Sequence, residues 1–238
     1  MARRRFFVDS LRNGIAELAG EEARHLSRVL RVEPGQLFEI SDNHAAYLAE
    51  IAEARGERVV FRVVEPIESS EMPARITLLA ALFKFDRFEW MVEKATELGV
   101  ERIVPVEAAL TEKGLFEASH KRADRWRRIA REASQQSRRT RTPVIEQSVR
   151  FARAVEQSAD FRYFLDEDEA SPLLAALPQA RAAAFVALLL GPEGGWTEAE
   201  RACARTAGWI PVSLGPQILR AETAAAAALA ILANAWMV

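Results

Sequence analysis

The sequence predicts two parts: a small antiparallel β-barrel over residues 1–72, and an α/β domain with a mostly parallel sheet over 73–238. Three observations lead there. Short apolar or alternating runs, separated by turn residues, fill the first seventy positions. From Arg75 onward, apolar runs alternate with helix-like stretches instead. Ala183–Leu190 is wholly apolar and stops at Gly191-Pro192, the pattern of a central parallel strand covered on both faces. The chain has 238 residues, half of them hydrophobic and 28% charged, enough to bury a core in one large domain or two modest ones.

In the first part, strands are expected at Arg5–Val8, Gln36–Ser41, Ala45–Ala54 and Arg58–Glu65, with turns at Pro34-Gly35, Asp42-Asn43 and Gly56. One helical stretch, Glu21–Leu30, interrupts them. Several strands, tight turns and a single helix fit a small barrel. The polar run Glu68-Ser69-Ser70-Glu71-Met72-Pro73 then makes a linker. In the second part, Ile76–Phe83 is a strand and Asp86–Leu98 a helix closed by Gly99. Arg102–Val106, Val144–Val149 and Phe161–Leu165 are further strands, and a helix runs from Lys121 to about Ser137. Thr197-Glu198-Ala199-Glu200 is a capping box that opens a helix ending at Gly208. Ile210–Leu214 is the last strand, and an alanine-rich helix follows it.

Composition removes several classes of function. One cysteine, Cys203, excludes an internal disulfide framework and a cysteine-cluster zinc site. His25, His44 and His120 lack metal-ligand spacing, so no metal is expected. Met1-Ala2-Arg3-Arg4-Arg5 runs into Phe6-Phe7-Val8-Asp9 without the pattern of a secretory signal. The longest apolar stretch, Ala224–Val238, falls short of the ~20 residues of a spanning helix, so the expectation is a cytoplasmic protein with no membrane partner.

The net charge of −2 hides an asymmetry. Lys121–Arg141 holds nine basic residues against Asp124 and Glu132, a segment of +7, so the rest of the chain carries −9. Guanidinium forks match phosphate oxygens, which favours a polyanionic partner; a solvated helix face is the alternative that charge alone leaves open.

Two glycine-containing loops follow the last two apolar strands: Leu190-Gly191-Pro192-Glu193-Gly194-Gly195 and Ser213-Leu214-Gly215-Pro216-Gln217-Ile218-Leu219-Arg220. Ligands of open α/β sheets bind outside the carboxyl ends of the strands. Glycine lets a ligand reach the backbone there. Neither loop is a phosphate cradle of the G-x-G-x-x-G or G-x-x-x-x-G-K-[ST] kind. Glu193 and the prolines put negative charge and missing N–H donors where a phosphate needs the opposite. An uncharged or cationic nucleoside ligand fits better, and S-adenosylmethionine meets that description.

Gly191-Pro192-Glu193-Gly194-Gly195-Trp196 and Leu214-Gly215-Pro216-Gln217-Ile218-Leu219-Arg220-Ala221-Glu222-Thr223-Ala224 together resemble the signature blocks of the ribosomal RNA small subunit methyltransferase E family. The resemblance continues through Glu97-Leu98-Gly99-Val100, Glu132-Ala133 with Gln136 and Arg139 before Pro143, Arg5-Phe6-Phe7-Val8, and His25-Leu26-Ser27-Arg28-Val29-Leu30-Arg31, nearly the whole chain. It implies a PUA-like RNA-binding barrel and a C-terminal SPOUT (trefoil-knotted) α/β domain. The chain would work as a homodimer that uses S-adenosylmethionine to methylate N3 of a uridine in 16S ribosomal RNA. The knot comes from the resemblance alone, since base rates argue against knots.

The resemblance places the cofactor on Leu190, Gly191, Glu193, Gly194, Gly195, Leu214, Gly215, Ile218, Leu219 and Thr223. Arg220 and Glu222 become the candidates for catalysis. Arg3, Arg4, Arg5, Arg28, Arg31, Lys84, Arg131, Arg138 and Arg139 become candidates for RNA contact. Two departures stand out: Gln217 occupies a position often arginine in relatives, and Arg138 replaces a commonly small residue. Trp196 is read either as stacking on a base or as closing the pocket by packing. Asp166–Glu169 is expected to be a solvent-facing acidic turn, and His25 and Cys203 to be structural. The competing readings are a SPOUT enzyme acting on another RNA site, and a non-catalytic ribosome-assembly factor that binds RNA. A dinucleotide-binding oxidoreductase lacks its fingerprint here.

Overall fold

A computed structural model describes residues 5–68, 72–168 and 170–237. The chain divides into two compact units: Met1–Glu71 with Ser134–Thr142, and Met72–Ala133 with Pro143–Val238.

The first unit is built on six strands: β1 (Arg5–Phe7), β2 (Ser10–Arg12), β3 (Ile15–Ala19), β4 (Leu37–Ser41), β5 (Ala46–Arg55) and β6 (Arg58–Ile67). Their order is β1-β4-β5-β6-β3-β2. The two end strands are consecutive in sequence, joined only by Val8-Asp9. Five strand spacings laid flat would separate them by ~24 Å, while the link spans at most ~11 Å. The sheet therefore rolls until its edges meet, which is a barrel. Register shifts in β5 at Leu48/Ala49 and Ile51/Glu53 provide the bend. The pairings are antiparallel except for β1 with β4, which is parallel and corrects the all-antiparallel expectation. Phe6, Leu18, Leu26, Ile40, Ile51, Val59 and Phe61 fill the interior.

The expected helix at Glu21–Leu30 is instead a short α-turn, α1 (Gly20–Arg24), running into a π-helical turn at His25–Val29. The turn closes with Leu30 N–H donating to the His25 carbonyl at 3.0 Å. That wider turn leaves Arg28, Val29, Leu30 and Arg31 exposed while Leu26 stays in the core.

The second unit holds an eight-stranded sheet: β7 (Ala74–Ala81), β8 (Arg102–Glu107), β9 (Val144–Ile145), β10 (Val149–Arg150), β11 (Phe161–Leu165), β12 (Ser171–Pro172), β13 (Ala184–Leu190) and β14 (Ile210–Ser213). The order is β10-β8-β7-β13-β11-β14-β12, with β9 also beside β8, and every pairing is parallel. β13 and β7 are buried on both faces. Ile76, Leu78, Ala80, Val186, Leu188 and Leu190 face one core, while Leu79, Ala81, Ala187 and Leu189 face the other. The first core is covered by α2 (Phe85–Glu97), α4 (Ala123–Gln136) and α8 (Ala221–Ala235). The second takes residues of α5 (Phe151–Ala154) and α7 (Glu198–Thr206) together with Trp196 and Trp209. Short helices α3 (Leu115–Ser119) and α6 (Leu173–Ala176) complete the unit.

Val144–Val149, read as one strand, is two short ones flanking a gap in pairing to β8. The cause is Pro105. Carbonyls of Glu101 and Ile103 accept from Val144 and Glu146, so alternate residues of β8 face this side and Pro105 is the next of them. It has no N–H to continue the ladder.

The capping box of α7 is formed as the sequence predicts: Thr197 Oγ1 accepts from Glu200 N–H at 3.3 Å, and Glu200 Oε2 accepts from Thr197 N–H at 3.0 Å. In α8, Ala225 and Ala228 are fully buried within the chain's own core, while Ala226, Ala227, Ala230 and Ala233 are only partly covered. No helix among the described residues is long and apolar enough to cross a membrane.

Candidate active site

Three adjacent strands, β13, β11 and β14, run parallel and end together. The loops leaving their carboxyl ends enclose a cavity of about 340 Å³. That size suits a small organic ligand. Its walls are the first loop (Leu190–Glu193, Gly195, Trp196), the second loop running from Leu214 into α8 (Leu214–Ala221, Ala224), and Leu165, Asp166 and Glu167 after β11. The two glycine loops read from the sequence are thus brought together; the third wall was not anticipated. Its signal was available, because Phe161–Leu165 is a parallel strand whose carboxyl end must share the same edge.

The glycines act differently from one another. Gly195 has φ of 72° and Gly215 φ of 124°, the left-handed region that favours glycine. A Cβ on Gly195 would also stand 2.8 Å from Glu167 Oε1. Gly194 is not among the residues lining the cavity; it faces Leu110, whose Cβ lies 3.3 Å from where its own would be. Glu222 and Thr223 fall between the lining residues Ala221 and Ala224 and are not themselves on the cavity wall.

Trp196 is resolved in favour of packing. It is 6% exposed, its Nε1 donates to the Leu165 carbonyl at 2.8 Å, and its ring lies 3.0 Å from where a Gly191 Cβ would be. It forms the floor beneath the first loop and is not free to stack on a base.

The acidic turn after β11 is not uniformly solvent-facing. Asp166 is buried, and Arg201 of α7 meets both its oxygens at 3.0–3.1 Å. Bonding to Asp166 makes the Arg201 guanidinium hold its proton still more tightly than usual. Glu167 and Asp168 are exposed, and Glu169 lies outside the described residues. Since Asp166 is neutralised, Glu167 is the cavity carboxylate with no ion pair among the described residues.

Arg220 sits exposed on the cavity wall, immediately before α8, and makes no ion pair among the described residues. It does not pair with Glu222, two residues on. Glu222 lies 3.8 Å from Nε of Arg87 in α2, and Arg87 Nη1 is paired with Glu193. Arg87 carried no distinguishing mark in the sequence; it becomes visible only because the fold stacks α2 against α8.

These features can be set beside known proteins. Residues 70–233 match the family described as RNA methyltransferase domain, and 18–64 match the one described as RNA methyltransferase PUA domain. A protein named ribosomal RNA small subunit methyltransferase E from Synechocystis is 36% identical over 219 residues, covering 90% of this chain and 71% of the relative. The chain belongs to the ribosomal RNA small subunit methyltransferase E family. The Bacillus subtilis member is 29% identical and the match covers 92% of both chains. A crystal structure of the Neisseria gonorrhoeae member, described as bound to S-adenosyl methionine, superposes with a TM-score of 0.88 at 29% identity and 98% coverage of both chains.

Within this methyltransferase E family member, the basic candidates for RNA contact divide. Arg3 and Arg4 lie outside the described residues. Arg5 is corrected from an RNA-contacting arm to a buried staple: it is 5% exposed and donates to the Arg138 carbonyl at 2.6 Å, Thr140 Oγ1 at 3.3 Å and Glu39 Oε2 at 3.0 Å. Arg28, Arg31 and Lys84 are exposed. Arg138 is exposed but stands 3.6 Å from Glu39, and Arg131 and Arg139 are half-buried. Several arginines of the +7 segment are paired, Arg122 and Arg125 sharing the single carboxylate of Glu89 and Arg127 meeting Asp124, an acid already counted in the +7.

Proposed function

We propose that this protein is an S-adenosylmethionine-dependent methyltransferase acting on N3 of a uridine in the 16S RNA of the small ribosomal subunit, in the cytoplasm. The observation that carries the reading is the cavity at the ends of β11, β13 and β14. Both signature loops wall it, and Arg220, with no ion pair among the described residues, stands at its edge.

The residues present suit the cofactor. Leu165, Leu190, Val212, Leu214, Ile218 and Leu219 offer apolar walls to a nucleoside, and Gly195 and Gly215 expose backbone. Glu167 and Glu193 put carboxylates where ribose hydroxyls or an ammonium group are welcome and a phosphate is not. Bound there, S-adenosylmethionine supplies an electrophilic methyl group, which uridine N3 takes by direct displacement as sulfur leaves with the bonding electron pair.

The protein must then deal with the N3 proton. Arginine stays protonated and cannot be the base. Arg220 instead holds a uridine carbonyl oxygen through its planar fork and stabilises the charge that develops as N3 loses its proton. Glu222, two residues on, is the acceptor for that proton. Because the reacting edge of uridine is its pairing edge, the base has to be unpaired when it enters. Arg28, Arg31 and Lys84 supply phosphate contacts that hold the RNA. A homodimer is part of the proposal, with the half-covered alanine face of α8 against a second copy; an active monomer in sedimentation would contradict it.

Transfer of labelled methyl to small-subunit particles lacking the modification, followed by nucleoside mapping, tests the reading. Label in 3-methyluridine of 16S RNA is the expected result. Label at another base or atom points to a different RNA-modifying specificity, and cofactor-independent RNA binding without transfer points to an assembly factor.

A further inference from the structure

Arg87 occupies an unusual place. It is the third residue of α2, where the helix dipole disfavours a cation, and Asp86 beside it is the charge expected there. Two carboxylates from distant parts of the chain meet it. Glu193 belongs to the loop after the central strand β13 and pairs with Nη1; Glu222 is the second residue of α8 and lies 3.8 Å from Nε.

The Glu222 contact is lopsided. Its side chain is 12% exposed, one oxygen sits within ion-pair range of Arg87, and the other, Oε2, is buried with no hydrogen-bond partner among the described residues. An exposed ion pair would contribute little and ask for no explanation. A buried carboxylate oxygen left unsatisfied is costly, and it is tolerated where a donor arrives with a ligand.

We propose that Arg87 is a positioning residue for methyl transfer. It fastens the cavity loop through Glu193 and fixes Glu222 through one oxygen, and the buried Oε2, without a donor among the described residues, receives a hydrogen from Arg220 or from the substrate once that is bound. This deepens the reading given above and rests on Glu222 serving the reaction. Arg87 itself is not among the residues that line the cavity. Its guanidinium spans two carboxylates at once, which a lysine ammonium on a flexible stem holds less well.

The test compares the parent with Arg87→Ala, Arg87→Lys, Glu222→Gln and the double variant Arg87→Ala/Glu222→Gln. Each is assayed for S-adenosylhomocysteine affinity by calorimetry, for thermal midpoint, and for single-turnover transfer to small-subunit particles. Arg87→Ala is expected to slow single turnover at least about ten-fold while affinity changes less than about three-fold. Arg87→Lys should recover part of the rate, and Arg87→Ala should add nothing once Glu222→Gln is present. Should Arg87→Ala fail to fold, Arg87→Gln, which keeps the stem, replaces it. Additive effects in the double variant overturn the proposal, as does an affinity loss large enough to explain the slower rate. Parent-like turnover of Glu222→Gln overturns it while leaving the methyltransferase reading intact; absence of transfer by the parent removes both.

Discussion

Arg5 shows how a single residue can be misread from its neighbours. In sequence it closes a run of three arginines and looks like the root of a basic arm. In the structure its guanidinium lies inside the first unit, where it ties β1 to β4 through Glu39 and to the 134–142 segment through Arg138 and Thr140. Replacing it with alanine removes hydrogen bonds to a charged group, so Arg5→Ala is predicted to lower stability by about 2 kcal/mol in urea unfolding. Its effect on the salt dependence of RNA binding should be nil. A stable Arg5→Ala protein with a flatter salt slope would restore the arm.

Arg220 is the opposite case, a residue whose isolation is informative. It has an ion-pairing opportunity two residues away in Glu222, and the structure gives that carboxylate to Arg87 instead. Arg220→Lys keeps the charge and loses the fork. Single-turnover transfer is predicted to fall by about a hundred-fold, the scale of losing one well-placed donor to developing charge. Cofactor affinity should stay near the parent's. Unchanged turnover in Arg220→Lys and Arg220→Ala would remove Arg220 from the chemistry.

At the scale of elements, legibility followed the strength of the apolar pattern. Ala184–Leu190 was readable because a doubly covered parallel strand is apolar along its whole length, and Phe161–Leu165 because only Arg162 interrupts an otherwise aromatic and aliphatic run. Ser10–Arg12 escaped because it is three residues long and mostly exposed, and Ile15–Ala19 because two alanines and a glutamate are weak strand formers. Helices of four or five residues, α3, α5 and α6, are shorter than any periodicity can declare. Val144–Val149 was seen as extended but not as broken, since the break originates in Pro105 on a different strand.

β11 also carries a pH prediction. Tyr163 is fully buried on it, and burial raises the phenol above its ordinary value near 10. The folded form therefore holds its proton more tightly than the unfolded one. The resulting stability is present below about pH 10 and is lost as pH rises through the folded value. Alkaline unfolding midpoints should be shallower in their pH dependence for Tyr163→Phe than for the parent; identical profiles would show that Tyr163 is not the group responsible.

For the whole molecule, the two-part architecture and the cavity loops were visible in sequence, and two long-range facts were not. The Ser134–Thr142 excursion into the first unit has no signature in a single linear boundary, because it depends on Arg5, Ser41 and Asn43 reaching Thr140, Arg138 and Thr142. The pairing of the +7 segment was the second, since Arg122 and Arg125 share Glu89, Arg127 meets Asp124 and Arg138 stands near Glu39. RNA affinity should therefore depend more on Arg28 and Arg31, which are exposed beside Val29 and Leu30. Replacing both with alanine is predicted to reduce the slope of log affinity against log salt by about one unit per lost contact. Replacing Arg122 and Arg125 should leave the slope nearly unchanged, and the reverse ranking would return the RNA site to the basic helix.

One cavity, bounded by Leu190–Glu193 with Gly195 and Trp196, by Leu165–Glu167 and by Leu214–Arg220, is expected to hold the cofactor. The most direct measurement is a crystal structure of the protein with S-adenosylhomocysteine. The ligand is expected between the two glycine loops, with the Glu167 carboxylate on its polar groups and Arg220 left free on the open side. A ligand seated elsewhere, or one bound with Glu167 and both loops out of contact, would contradict this placement.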